Sequence, residues 1–321
     1  MNTIPKTLWV LDLGSWAVRL LRVQILNGQL LNWDSFEHVH QTSIQETLNF
    51  KQGYLQKLPA AVQRLIERSG VRGPIHVLLP SSIFNYNLDS ESGINLKIDL
   101  NENVRQEINL LLDKQGLEAA FLGSGISAEI EYLLNKKYKR SNKIFLLSLN
   151  YSASYFVEIK NGKLKNFLQD TSINGMKFDS MMQNSFDFQS STHRVLDWKK
   201  NKFALLPVYR PLQLRLPDFS IIKDFLDVVS TQLDQWESNE SSTTIFLSGG
   251  VTQLRNFDAY LEGTRANQYE SFCTSFFNKW LENTTLGSDN QNGWSACFAH
   301  AALIIHREKN NVEPNKKTPI E

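Results

Sequence analysis

Three short stretches combine polar side chains with bare backbone in a way that suits an anion. In Asp12-Leu13-Gly14-Ser15 an acidic residue and a glycine interrupt an apolar run where a strand should end, so a carboxylate and exposed backbone face one small space. An anion held by a metal ion could sit there. In a second stretch, Thr243-Thr244-Ile245-Phe246-Leu247 runs straight into Ser248-Gly249-Gly250-Val251, with a helical pattern from Leu254 to Leu261 behind it. Paired glycines between a buried strand and a helix let backbone approach a ligand closely and aim helix N–H groups towards it. The third stretch, Ser148-Leu149-Asn150-Tyr151-Ser152, ends another apolar run in a polar turn. Turn formation and packing use the same residue types, so the meaning of these stretches depends on what positions them.

The first and third stretches open the same device. Leu8 to Leu13 is an apolar strand, followed by Val18-Arg19-Leu20-Leu21-Arg22-Val23, an Asn27-Gly28 turn and Leu30-Leu31. Ile144 to Leu149 is followed by Tyr155 to Ile159, then Asn161-Gly162 and Leu164. Asn-Gly between alternating strands signals a two-residue type I′ hairpin, because both central residues need positive φ. Two copies of strand, turn, strand, Asn-Gly, strand predict a duplicated unit, each copy founding one lobe.

Between and after the copies the pattern is mixed. Ala61, Val62, Leu65 and Ile66 have helical spacing with Gly70 as a stop, and Ile75 to Leu79 reads as a buried strand ended by Pro80. Residues 88–101 read as a loop or short edge excursion. Helices follow over Val104, Ile108, Leu111 and Leu112, then from Ile126 to Leu134, with Lys136, Lys137, Lys139 and Arg140 as a solvated helix end favoured by the macrodipole. Glu129 and Glu131 on the second of these helices read as a solvated face, with orientation of a water at the cleft as the alternative. Residues 186–218, with prolines 207, 211 and 217, read as a lid, a partner-binding loop or a packed connection. Phe225 to Trp236 forms an amphipathic helix, Ala296 to Ile305 an apolar core helix, and 306–321 a polar, frayed tail. His193 and His300 stand isolated in sequence, which argues against metal or acid–base roles.

Composition sets the class. The chain has 321 residues, 41% hydrophobic and 21% charged, ordinary for a two-lobed globular protein. Its net charge of +1 supplies no overall field for nucleic acid or anionic membrane. Cys273 and Cys297 are the two cysteines and lack zinc spacing, which fits a reducing compartment. No signal-like leader follows Met1, and no segment reaches the roughly 18 consecutive apolar residues of a spanning helix. The expectation is a soluble, cytoplasmic chain without direct membrane insertion.

Taken in order, these elements resemble the actin-like ATPase superfamily and, within it, the type IV pilus assembly family PilM, with the cytoplasmic region of GspL as a relative. Asp12-Leu13-Gly14-Ser15 matches the family's first phosphate loop, Ser148-Leu149-Asn150-Tyr151 falls at the second, and Leu247-Ser248-Gly249-Gly250 matches the adenosine loop. Gly175, in Asn174-Gly175-Met176, stands where relatives often carry a Gly-Gly turn, and Leu79-Pro80-Ser81-Ser82 is similar to their proline-ended strand. The resemblance implies an α/β, ribonuclease H-like duplicated two-lobe fold with a nucleotide cleft. It implies lobes at 1–140 and 141–305, with 84–103 a short insertion in place of an extra subdomain that is reduced or absent.

The resemblance also implies ATP and Mg²⁺ as ligands. Asp12 would hold the metal through water, the Gly14 and Ser15 backbone would meet phosphates, and Ser248, Gly249 and Gly250 would receive base and ribose. Where the family's second loop offers an aspartate and a glycine, this chain has Ser148 and Asn150, a departure that predicts a non-catalytic protein or a very weak ATPase. The implied role is an assembly protein that binds the cytoplasmic peptide of an inner-membrane pilus or type II secretion component, peripheral to that membrane, with self-association possible. The alternatives are an active ATPase or kinase of the same fold, or a filament protein of the FtsA or MreB kind.

Overall fold

In the computed structural model, residues 4–40, 50–89, 95–136, 143–178, 180, 219–236, 244–253, 261, 268–282 and 288–312 are described. The expectations for residues 186–218, for His193, for Lys137, Lys139 and Arg140, and for most of the helix at 254–261 lie outside them.

Strands β1 (Lys6–Leu13), β2 (Ala17–Leu26) and β3 (Gln29–Val39) form an antiparallel meander, and β4 (Gly73–Leu79) and β7 (Leu117–Ser124) add in parallel to give the order β3-β2-β1-β4-β7. The second sheet repeats this with β8 (Lys143–Leu149), β9 (Ser154–Lys160), β10 (Lys163–Asp170), β11 (Thr244–Ser248) and β12 (Gln268–Ser271), in the order β10-β9-β8-β11-β12. Both Asn-Gly turns have the positive φ expected of them: Asn27 at 50° and Gly28 at 70°, Asn161 at 53° and Gly162 at 71°. The duplication is therefore complete at the level of the backbone.

Five layers result. The outer face of the first sheet (Leu11, Leu13, Leu20, Val77) packs on α1 (Phe50–Ser69) and α2 (Glu102–Lys114), which supply Leu58, Val62, Leu65, Ile108 and Leu112. The outer face of the second sheet (Phe145, Leu147, Ile245) packs on Phe225, Val229 and Leu233 of α4 (Phe219–Trp236). Between the sheets one shared core joins their inner faces to α3 (Gly125–Asn135), α5 (Phe272–Leu281) and α6 (Ser295–Val312). Because successive strand residues point to opposite faces, Leu8 and Val10 on β1 and Ile144 and Leu146 on β8 look into this shared layer. The next inward residues are Asp12 and Ser148.

Several elements differ from expectation. Strand β5 (Phe84–Asp89) pairs antiparallel with β6 (Asn95–Leu100) as a hairpin ladder, where the sequence predicts a loop or short edge excursion over 88–101. Interspersed Asn and Asp hid the alternation Phe84, Tyr86, Leu88 against Leu96, Ile98, Leu100. Strand β7, rich in Ala and Glu, went unnoticed because its parallel pairing to β4, not its propensity, holds it in the sheet. The closing helix runs on to Val312, so 306–312 is no tail. Lys6 pairs with Glu308, and Arg307 with Glu131, which ties this last turn to β1 and α3. Although α6 follows the second lobe in chain order, it packs on β1, β2 and β3 of the first sheet and along α3.

Candidate functional site

The site forms where the inward residues at the ends of the central strands meet. Across β1 and β2 Asp12 lies opposite Arg19, whose Nη1 is 3.5 Å from the Asp12 carboxylate and whose Nε donates to Glu37 at 2.8 Å. The guanidinium also lies 5.9 Å over the Trp294 ring. Burial pushes the Asp12 carboxyl up to about 6 even though Arg19 pulls the other way. The Gly14 carbonyl lies 3.1 Å from His40 Nε2, and burial lowers that imidazole to about 4. A Cβ on Gly14 would lie 2.6 Å from the Ala17 carbonyl oxygen, so the tightness of the first turn itself demands glycine.

On the second lobe, Ser148 Oγ accepts from Asn150 Nδ2 at 2.9 Å, and its hydroxyl pulls the Glu129 carboxyl down. Glu129 corrects the expectation of a solvated face. It is 3% exposed, accepts from Ser248 Oγ at 2.9 Å, and accepts from Ser295 Oγ through its other oxygen. Burial raises it to about 7 against the opposing pull of these hydroxyls. Glu131, two residues on, is on the surface with Arg307. The signal for Glu129 was present in α3 itself: Ile126, Ala128, Ile130, Tyr132 and Leu133 leave it apolar nearly all round, the pattern of a helix buried on every side. Arg19 was legible too, as the residue that a short turn folds back opposite Asp12.

The glycine turn closes on the second turn. Gly249 has φ +87°, and a Cβ there would lie 2.4 Å from the Leu149 carbonyl oxygen, so its bareness serves contact with protein backbone. A Cβ on Gly250 would meet nothing within 4 Å. Gly175 donates its N–H to the Asn150 carbonyl at 3.0 Å and packs on Tyr151. Ser15 Oγ donates to Ser152 Oγ at 3.2 Å, and Ser82 Oγ lies 2.8 Å from the same oxygen. Asp12, Gly14 and Ser15 thus gather on one side and Ser148, Asn150, Gly175, Ser248 and Gly249 on the other, with serine hydroxyls joining them.

No family model matches the chain, and no curated protein matches its sequence. Solved structures do match its shape. A PilM–PilN type IV pilus biogenesis complex aligns over 94% of this chain and 98% of that one, at 13% identity and TM-score 0.60. MreB5 of Spiroplasma citri bound to AMPPNP aligns over 98% and 100%, at 11% identity and TM-score 0.55, and its ADP-bound form over 96% and 99%, at 10% and 0.53. The chain has the actin-like fold. Its two repeated sheets correspond to the two lobes of that fold, and the gathered turns lie between them.

Among the described residues, those gathered here do not fit magnesium. Mg²⁺ binds through one or two carboxylates, phosphate and water in near-octahedral geometry. Asp12, the one acid on either turn, already faces the fixed cation of Arg19, and a second cation beside it would be repelled. Ser148 and Asn150 bring no charge, and Glu129 is held towards its protonated form. The Ser15–Ser152–Ser82 hydroxyls also span the gap between the first and second turns, whereas the space at Gly250 is open. Beyond this cleft, His300 is not isolated: its Nε2 lies 2.9 Å from His76 Nδ1 with Phe121 stacked on both rings, and burial lowers it to about 3. Among the described residues no group of three or more His, Cys, Asp or Glu is placed to hold a metal. Among them, too, no helix is long and apolar enough to cross a membrane.

Proposed function

We propose that this chain is a PilM-like assembly protein: a scaffold that holds the cytoplasmic peptide of an inner-membrane pilus or secretion component. Its cleft admits ATP only weakly and does not hydrolyse it. The observation that carries this reading is the Asp12–Arg19 ion pair. It occupies with protein charge the place where a metal-dependent ATPase needs a free carboxylate, and phosphoryl transfer depends on charge stabilisation and positioning. The PilM–PilN complex among the similar folds supports a membrane protein's segment as the partner, and the nucleotide-bound MreB5 structures support the cleft as the nucleotide's place. Residues Asp12, Gly14, Ser15, Ser148, Asn150, Gly175, Ser248, Gly249 and Gly250 are its lining.

The test is affinity capture with the full chain from detergent-solubilised inner membranes. The expected result is retention of a pilus or secretion inner-membrane protein, released by a synthetic peptide of its own cytoplasmic segment. Retention that the peptide leaves unchanged, or none at all, overturns the scaffold reading. An active ATPase or kinase would instead form ADP from ATP, the phosphoryl group passing to water or to an acceptor, at a rate that Asp12→Ala abolishes.

A further inference from the structure

The hairpin β5–β6 pairs with neither main sheet. It is nevertheless held at both ends. On the first lobe, the Tyr86 hydroxyl donates to the Ser81 carbonyl at 2.9 Å and lies 2.7 Å from Ser124 Oγ, and Phe84 sinks into the core over α1 and α2. On the second lobe, the Tyr86 ring lies 5.0 Å from Phe167 and 6.0 Å from Tyr155, and those two rings are 5.8 Å from one another. Tyr155 and Phe167 belong to β9 and β10, so a side chain anchored in one lobe is seated between aromatic rings of the other. At the foot of the hairpin, Ser82 Oγ meets Ser152 Oγ at 2.8 Å. Aromatic contacts and a half-buried hydroxyl bridge thus cross the same boundary within five residues of chain, from Ser82 to Tyr86, and a hinge opening must break both.

We propose that the β5–β6 hairpin is a clasp that holds the two lobes closed with no ligand in the cleft, with Tyr86 as its tongue and Tyr155 and Phe167 as its seat. In a two-lobed protein whose closure is set by a ligand, the ligand supplies the difference in free energy between open and closed forms. Here the clasp supplies it from inside the chain. Burial keeps the Tyr86 phenol neutral, at about 12, so the clasp carries no charge to be screened by salt or lost at physiological pH. The inference does not rest on the identity of the partner or on nucleotide binding.

Engineered cysteines measure closure directly. Ser82→Cys with Ser152→Cys replaces two hydroxyls in contact by two thiols close enough to join, while the native Cys273 and Cys297 are buried. Under mild oxidation the nucleotide-free double variant is expected to form the 82–152 bond essentially completely, located by peptide mapping, at a rate that Mg-ATP leaves unchanged. Adding Tyr86→Ala is expected to slow the reaction about tenfold or more, as the closed population falls. Tyr86→Phe, which keeps the ring, should stay near the parent rate. Phe167→Ala, which opens the seat from the other lobe, should fall between, and it carries the test if Tyr86→Ala does not fold. Cross-linking that requires nucleotide, or that proceeds at the parent rate in Tyr86→Ala and Phe167→Ala, overturns the clasp.

Discussion

The two turns that face each other across the cleft are built on one backbone plan and filled with opposite chemistry. Asp12 and Ser148 are each the last inward residue of the central strand, and seven residues later each chain folds back to place Arg19 or Tyr155 opposite. In the first lobe that pair is charged and self-neutralising. In the second it is neutral: Ser148 accepts from the Asn150 amide, and Tyr155 joins the aromatic seat of Tyr86. The topology, fixed by hairpin turns and strand parity, survived duplication, while the strand-end side chains diverged. A functional reading drawn from the backbone alone would miss that the second turn, Ser148 to Ser152, has no acid of its own to offer.

Substitutions that cross this contrast should rank as follows. Arg19→Ala strands the buried Asp12 carboxylate, and denaturant unfolding at about pH 8 should show a loss of about 3–5 kcal/mol, shrinking as pH falls towards about 6, because without the pull of Arg19 the carboxyl takes up its proton at a higher pH than in wild type. Gly249→Ala forces a Cβ against the Leu149 carbonyl at positive φ and should cost about 2–3 kcal/mol in the same assay, with no recovery in acid. Ser148→Asp restores a carboxylate to the second turn. Because it would sit against Glu129 with no cation such as Arg19, it should destabilise the protein by about 2 kcal/mol near neutral pH, and less in acid.

Glu129→Gln should be the mildest of the four and should change sign in effect. The folded wild type holds its Glu129 proton up to about 7, whereas an unfolded chain releases it near 4.5, so wild-type stability falls as pH rises through that window and stays lower above it. Glutamine removes this loss. The variant's melting temperature should therefore gain on wild type as pH rises from about 4.5 to 7, by a total swing equivalent to about 3 kcal/mol. A constant difference across the window would contradict the buried, proton-holding Glu129.

Much of this architecture was legible from local rules. Asn27-Gly28 and Asn161-Gly162 marked both hairpins, and the alternation through Val10 and Leu146 led to Asp12 and Ser148. What escaped depended on partners far away in sequence. Strand β7 draws its hydrogen bonds from β4, and the β5–β6 hairpin buries Tyr86 against residues of the other lobe. The role of Glu129 required knowing that Ser248 and Ser295, more than a hundred residues later, would close over it. Gly249 was read as bare backbone for a ligand, and the backbone that approaches it is that of Leu149.

The central claim is that the Asp12–Arg19 pair and the uncharged second turn leave no working place for magnesium in this cleft. Titration calorimetry with ATP, run once with excess Mg²⁺ and once with EDTA, tests it most directly. The account predicts weak binding of the same strength in both buffers. Tight binding that appears only with Mg²⁺ and vanishes in Asp12→Ala would contradict it.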